Sequence, residues 1–278
     1  MKNLTLLVFL LGTIVGWSQD GGAYTYQTFK DTRIVNGHSV ETNDAGELKF
    51  IIQHRFGLLS GGAYELFGLD QSNVRIAFDY GLTNNMSIGI ARSSFEKTYD
   101  GFVKYKLLAQ REGGMPFTVT AYASMACKGL KWEDPERKNY FTSRLYYGYQ
   151  LLIARKFHDR FSAQLMPTLV HRNLIPDPSV KHDVMAMGAA TRMQLTKMLS
   201  VQLEYFYVLP NQLAADRTNS LSIGVDIETK GHVFQLHVSN SRGMTERFYI
   251  LDTTGDVAKG DFHIGFNISR DFRITRRK

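Results

Sequence analysis

The chain has 278 residues, of which 44% are hydrophobic, and its mean hydropathy of −0.22 excludes a bundle of apolar membrane-spanning helices. These values do not exclude a membrane β-barrel, because barrel strands carry apolar residues only at every second position. The formal charge of +7 is spread along the chain, apart from a basic C-terminal end. If the chain is exported, this balance favours contact with anionic outer-membrane lipid and lipopolysaccharide, and no nucleic-acid partner is expected.

The N-terminus, residues 1–18, has the pattern of a secretory signal peptide. Lys2 gives the positive end, residues 4–15 form an apolar run, and Gly16 and Ser18 are the small residues that a signal peptidase reads. Cleavage would follow Ser18. A short membrane anchor is the alternative, but the polar residues that come next favour cleavage.

Residues 19–46 are polar and contain no long alternating run. This composition predicts a periplasmic lead-in, or a plug segment that enters the mouth of a barrel. A flexible terminus is the alternative.

Residues 73–94 show the pattern around which the chain is organised. Apolar residues take every second place from Val74 to Leu82, and the alternation resumes at Met86 after a short Asn-rich break. Period two predicts strands, and the short break predicts a hairpin. Each arm has about ten residues, which suits a tilted strand that crosses a bilayer.

The same alternation recurs along the chain and predicts about twelve strands, at 47–56, 73–82, 86–94, 102–110, 117–128, 143–157, 161–172, 183–195, 200–209, 220–228, 233–240 and 261–271. An even strand number is usual in single-chain bacterial barrels. The predicted fold is all-β: a single antiparallel transmembrane β-barrel over residues 47–272, with a basic periplasmic tail at 273–278. Cys127 is the only cysteine, so no internal disulfide is possible. Pro167 predicts a bulge or a boundary in the seventh strand.

The links between the predicted strands alternate strictly in length. Short links lie at 83–85, 111–116, 158–160, 197–199 and 230–231, and long links at 57–72, 95–101, 129–142, 173–182, 210–219 and 241–260. Short periplasmic turns and long extracellular loops are typical of outer-membrane barrels. We therefore expect an outer-membrane protein that meets the barrel-assembly machinery during insertion. A tag near Gly255 should be reachable on intact cells, whereas tags at Lys230 or after Lys278 should be hidden.

Three stretches of the sequence carry a resemblance to a known family. They are TRIVNGHSVE at 32–41, HRFG at 54–57 and FGLDQSNVRIAFDYGLTNNMSIGIARSSFEKTYDGFVKYKLL at 67–108. The chain resembles a Bacteroidota family of outer-membrane β-barrels that is known as a domain of unknown function. The resemblance covers most of the mature chain and implies a barrel in the outer membrane. It implies no catalytic residue, substrate or cofactor.

If the apolar parity of each strand faces lipid, the opposite parity lines the lumen. The candidates on that parity carry both signs of charge: Arg75, Asp79, Lys104, Lys106, Arg144, Gln150, Arg192, Glu204, Asp226, His237 and His263. One interpretation is a narrow channel or transport-related pore whose selectivity depends on these charges. The alternative is a filled interior that only holds the barrel in shape. This assignment of faces predicts that Ile223→Arg, on the lipid-facing parity, should damage insertion, whereas Ser222→Arg, on the lumen parity, should be tolerated.

Other chemistry has little support in the sequence. His237 and His263 share one parity on neighbouring strands, but two ligands are fewer than a metal site usually has, so no metal or cofactor is predicted. The motifs G-x-S-x-G and H-E-x-x-H do not occur, and neither does a phosphate-binding loop, so no enzyme is predicted. Besides the pore, two other classes stay open. One is a non-conducting structural or docking barrel that binds a periplasmic or membrane protein partner, and the other is a membrane-embedded hydrolase.

Overall fold

The computed structural model describes residues 22–175, 180–229 and 231–274. The predicted signal peptide at 1–18, Lys230 and residues 275–278 of the predicted basic tail lie outside the described residues. From Glu47 onward the described chain forms antiparallel strands joined in one ring.

Twelve strands close the barrel, and each pairs with its neighbours in sequence while β1 pairs with β12. The seam between β1 and β12 runs from Glu47 opposite Arg273 to Leu58 opposite His263. The predicted all-β class, antiparallel arrangement and strand number are confirmed. The strands are β1 (Glu47–Leu58), β2 (Ser72–Thr83), β3 (Met86–Ser93), β4 (Tyr99–Leu108), β5 (Thr118–Cys127), β6 (Leu145–His158), β7 (Phe161–Arg172), β8 (Asp183–Gln194), β9 (Leu199–Val208), β10 (Ser220–Thr229), β11 (His232–Ser239) and β12 (His263–Arg273).

Two local expectations differ from the structure. Arg144 was expected in the sixth strand, but β6 begins at Leu145, and Arg144 ends a short 3₁₀ helix before it. The bulge or boundary expected at Pro167 was wrong, because β7 continues through Pro167, which lies opposite Met187 of β8 in an unshifted register. A proline removes one donor from the ladder, and this strand tolerates the loss without a change of register.

The outer surface carries the apolar residues of the predicted lipid-facing parity. Ile90 of β3 exposes 70% of its area and Leu236 of β11 exposes 58%, whereas their neighbours Gly89 and His237 are buried. Successive strand residues point to opposite faces, so each strand separates an apolar exterior from a mostly polar interior.

Ile223→Arg is expected to destabilise the inserted barrel. Ile223 exposes 41% of its area on the lipid-facing side of β10, and an arginine near the middle of the bilayer costs about 2–4 kcal/mol. Urea titration of the protein in lipid vesicles, read by gel mobility of the folded form, measures this loss. Ala258→Arg, at an exposed loop position, is the control, and equal losses in the two variants would show that the lipid-facing parity is misassigned.

Two segments of the chain lie inside the barrel. The first, residues 28–43, is here called the finger, and its Phe29, Ile34 and Val35 are fully buried. The second, residues 240–256, is here called the inner loop. It connects β11 towards β12 and contains a π-helical turn at Arg247–Leu251. Apolar side chains of both segments pack with the barrel wall in one cluster.

Short 3₁₀ helices complete the fold, at Leu59–Gly68, Phe95–Lys97, Phe141–Arg144 and Val257–Lys259. None of the helices in the described residues is long and apolar enough to cross a membrane.

Candidate functional site in the barrel lumen

The finger enters and leaves the lumen at the end of the barrel that carries the short links, here called the short-turn end. Before the finger, Thr25 N–H donates to the carbonyl of Gln110 at 2.9 Å. After the finger, Gly46 N–H donates to the carbonyl of Gly81 at 2.9 Å. Between these anchors the chain reverses at a turn in which Ile34 N–H donates to the carbonyl of Gly37 at 2.8 Å. The finger is therefore a narrow loop with its tip in the lumen.

The tip of the finger binds one carboxylate of the wall. Glu204 of β9 is fully buried, and its oxygens accept hydrogen bonds from the main-chain N–H groups of Val35 at 3.2 Å, Asn36 at 3.0 Å and Gly37 at 2.9 Å. A Cβ on Gly37 would lie 3.2 Å from the Phe206 ring and 3.3 Å from Glu204. Main-chain donors that converge on an anion form a nest, so Glu204 acts as the anchor of the finger tip.

Other wall side chains bind further polar groups of the finger, most of them main-chain groups. The contacts are Gln164 to Val40 N–H (2.9 Å) and to the His38 carbonyl (2.8 Å), Lys104 to the carbonyls of Thr32 (3.4 Å) and Ser39 (3.2 Å), Thr120 to the Val40 carbonyl (3.0 Å), Gln235 to the Ile34 carbonyl, Asn267 to the Val35 carbonyl (3.2 Å) and Ser222 to the Asn36 amide (2.8 Å). Buried main-chain groups need partners, and here polar side chains of the lumen supply them.

Ion pairs hold the finger close to its base. Lys49 of β1 lies 2.8 Å from Asp31, and Lys30 lies 2.6 Å from Glu228 of β10. Burial alone would raise the pKa of Asp31, but the Lys49 ammonium and the Ser269 hydroxyl outweigh burial and hold this pKa below its ordinary value. Asp31 is therefore a charged group of the docked finger.

His38 is buried in the lumen without an ionic partner. Its ring centroid lies 4.5 Å from that of Phe102 and 4.3 Å from that of Tyr122, and neither ring nitrogen has a hydrogen-bond partner among the described residues. Burial, together with the nearby charges of Arg33 and Lys104, lowers the pKa of His38 well below its usual range. The docked finger therefore keeps this imidazole neutral.

The inner loop packs inside the barrel against side chains of β5 and β9. Its Glu246 accepts hydrogen bonds from the hydroxyls of Tyr122 at 2.6 Å and Tyr249 at 3.3 Å. The ring of Tyr249 lies 4.9 Å from that of Phe206, the residue that the finger tip also approaches. The finger and the inner loop therefore meet at the same aromatic side chain of the wall.

The structure places most of the candidate lumen residues inside the barrel. Nine are buried on the inner parity of strands: Arg75, Asp79, Lys104, Gln150, Arg192, Glu204, Asp226, His237 and His263. Lys106 is half-buried, with its ammonium 3.9 Å from Glu41. Arg144 lies in the loop before β6, with its guanidinium 3.7 Å from the Trp132 ring centroid. Glu204 and Lys104 bind the finger, whereas Arg75 pairs with Asp100.

His237 and His263 do not face each other across β11 and β12. His237 lies opposite Gly265, and His263 lies opposite Ser239. The Nε2 atom of His237 is 2.9 Å from the Arg55 guanidinium, and the Nδ1 atom of His263 is 2.9 Å from the Phe56 carbonyl. Within the described ranges, no group of three or more His, Cys, Asp or Glu side chains is placed to hold a metal ion.

The finger contacts were not assigned from the sequence. The dipeptide Asn36-Gly37 is a turn signal that could have located the tip. Its binding partner Glu204 is 168 residues away from Asn36 along the chain, and no local pattern connects the two. This contact also changes the expectation for Ser222, because an arginine there would occupy the place of the Asn36 amide.

Ser222→Arg is expected to displace the finger while the barrel itself still folds. Ser222 is fully buried and lies 2.8 Å from the Asn36 amide, so a long charged side chain leaves no room for the tip. Trypsin should then cleave after Lys30 or Arg33, which are protected in the docked finger. A finger that stays protected in a folded Ser222→Arg protein would contradict the described position of the tip.

A closed antiparallel barrel with an apolar outer parity and an interior of polar side chains defines a membrane-bound β-barrel protein. The sequence matches the family model of the membrane bound beta barrel domain (DUF5777) over residues 29–272, and the chain belongs to this family. The matched region begins inside the finger, so the family pattern includes the finger as well as the strands.

Comparison with solved structures shows the fold that the chain shares with porins. The NanC porin matches with a TM-score of 0.52 at 9% identity, over 81% of this chain and 98% of that chain. The KdgM porin matches with a TM-score of 0.50 at 9% identity, over 81% and 99% of the two chains. Outer membrane phospholipase A from Escherichia coli has a TM-score of 0.46 at 11% identity, over 88% and 95%, which is too distant to carry an argument. A comparison with curated protein sequences finds no match.

Proposed function

We propose that the protein is an outer-membrane channel that its own finger closes. The observation that carries this proposal is the way in which the finger is held: polar wall side chains bind its main chain, and it enters and leaves at one end of the barrel. Polar groups bound in this way exchange their wall partners for water when the segment withdraws, which offsets part of the cost of release. The porin-like fold and the mixed charges of the inner wall support a channel for polar solutes once the finger has left.

A disulfide between the finger and the wall tests this proposal. A Cβ on Gly224 of β10 would lie 3.1 Å from a Cγ atom of Val35, which is compatible with the Cβ–Cβ separation of about 3.8 Å in disulfides. We expect Val35→Cys/Gly224→Cys in a Cys127→Ala background to stay silent in planar bilayers when oxidised. Reduction should restore the openings of the parent protein.

The single variant Val35→Cys in the same background is the control, because it cannot form the bond within one chain. Openings that persist at the same frequency in the oxidised double variant would contradict closure by the finger. The second candidate, described next, would be favoured if no channel openings occur in the parent protein, in the reduced double variant or in variants with a released finger.

The second candidate is a non-conducting barrel that serves as a structural or docking subunit. The observation in its favour is the apolar contact between the two segments in the lumen, where the finger tip and Tyr249 meet at Phe206 within one buried cluster. A cluster of this kind resists withdrawal of the finger. No catalytic step is proposed for the chain.

An outer-membrane location also predicts which end of the barrel faces the periplasm and which faces outside. If the short-turn end faces the periplasm, the loops between β5 and β6 and between β11 and β12 face outside. Gly255 is unsuitable for a tag, because a Cβ there would lie 2.4 Å from the Asn240 carbonyl. A tag at Lys259, whose side chain is 76% exposed, should be reached by antibody on intact cells. A tag at Asp159, whose side chain is 96% exposed, should be reached only in opened cells, and the reverse pattern would invert the topology.

A further inference from the structure

The outer face of the barrel carries an apolar groove of about 620 Å³ across β2 to β5. Gly101 of β4 forms its floor, and this glycine lies opposite Ile90 of β3 and Met125 of β5. The absence of a side chain at Gly101 leaves a gap between these two bulky residues, and Ile76 and Phe78 of β2 border the same gap. The groove lies on the parity that faces lipid.

One end of the groove carries a cation. Arg92 lies two residues beyond Ile90 on the same side of β3, and its guanidinium is 5.3 Å from the ring centroid of Tyr99. Arg92 makes no ion pair with another described residue. Asp100 also borders the groove, but its carboxylate pairs with Arg75 inside the barrel. A cation on the lipid-facing surface without an internal partner attracts an anion from the membrane.

A second cation of the lipid-facing surface lies away from this groove. Arg270 of β12 lies 4.9 Å from the ring centroid of Phe272, near the short-turn end. Like Arg92, it stacks on an aromatic residue and forms no ion pair within the described part of the chain. Arg92 borders the groove at Gly101 and Arg270 does not, so Arg270 provides a matched control.

We propose that the groove binds one membrane lipid with an anionic head group, in the leaflet at the long-loop end. The phosphate pairs with Arg92 at the end of the groove, and an acyl chain lies over Gly101 between Ile90 and Met125. The charge at one end and the apolar floor beside it match the two halves of such a lipid. The site is independent of the channel, because the side chains of Arg92, Ile90 and Met125 face away from the lumen.

Native mass spectrometry of the detergent-purified protein tests the site. The probes are dioleoyl phosphatidylglycerol and dioleoyl phosphatidylcholine, which share their acyl chains and differ in net charge. We expect one phosphatidylglycerol to be retained in preference, and Arg92→Gln to weaken this retention about fivefold, as one basic residue near a membrane surface typically does. Arg270→Gln should leave retention unchanged. Equal losses in the two variants, or equal retention of both lipids, would overturn the proposal.

The native Cys127 provides a readout that needs no change in the groove. Cys127 borders the groove opposite Tyr99 and is half-buried. Bound phosphatidylglycerol should slow its alkylation by N-ethylmaleimide in the parent protein, and less so in Arg92→Gln. A cysteine at Leu236, which is 58% exposed on the far side of the barrel, should gain no such protection in a Cys127→Ala background. The proposal would be overturned if alkylation slows equally at both positions. It would also be overturned if the protection of Cys127 comes from formation of a protein dimer and not from bound lipid.

Discussion

Glu204→Ala is expected to release the finger from the barrel. The substitution leaves the N–H groups of Val35, Asn36 and Gly37 without their shared acceptor in a buried place. Each unsatisfied donor costs about 1–3 kcal/mol. Because part of this loss is recovered by water that enters the space, we expect the docked state to weaken by about 3 kcal/mol, which is roughly a hundredfold in the release equilibrium.

The measurement is maleimide labelling of Val35→Cys in a Cys127→Ala background, since Val35 is fully buried in the docked finger. Adding Glu204→Ala should raise the labelling rate and the frequency of channel openings together. Ser220→Ala is the control, because Ser220 is buried on the neighbouring strand and its hydroxyl has no described partner. Unchanged labelling in a folded Glu204→Ala protein would show that Glu204 does not anchor the finger.

Acid is expected to release the finger through His38. Burial lowers the pKa of this imidazole in the docked state, and Arg33 of the finger, Lys104 of β4 and Arg75 of β2 act in the same direction. In the released finger the imidazole has its ordinary pKa of about 6.5. Docking is therefore fully favourable above pH 6.5 and weakens as the pH falls below that value, by up to about 1.4 kcal/mol per pH unit.

A different acidic group of the finger acts at lower pH. The pKa of Asp31 is held below its ordinary value of 3.8, so its contribution to docking persists above that pH and is lost only as the pH falls further. The labelling of Val35→Cys should thus increase between pH 6.5 and 4. His38→Phe keeps an aromatic ring between Phe102 and Tyr122 and should abolish this increase, whereas His158→Gln, at an exposed strand end, should not. An increase that persists in His38→Phe would assign the acid response to another group.

The sequence was sufficient to predict the wall of the barrel. A strand with one lipid-facing side needs an apolar residue at every second position. The alternation from Val74 to Leu82, and the same alternation elsewhere in the chain, therefore located all twelve strands. Two predictions that rested on the type of a single residue were wrong, because the neighbouring residues determine what that residue does. Pro167 is accommodated in β7 without a register shift, and Arg144 stacks on Trp132 in a loop instead of joining the strand.

The closed interior could be predicted only in part. Inward parity identified Glu204, Lys104 and other buried polar residues, but it gave no indication of what they bind. The sequence of the finger shows no regular alternation of apolar and polar residues. Its main-chain groups form hydrogen bonds with side chains of six different strands and not with a repeating β-ladder. Such contacts depend on the three-dimensional closure of the barrel, which places residues of distant sequence position around one segment.

The covalent link between the finger and β1 has a kinetic consequence. Only residues 44–46 separate the finger from the first strand, so a withdrawn finger remains beside the mouth at an effective concentration in the millimolar range. If the barrel is the channel proposed above, a solute in the lumen competes with this tethered segment, which returns after every release. Passage through the barrel would occur in brief bursts, and the dwell time of the finger outside, more than the diameter of the lumen, would limit the flux.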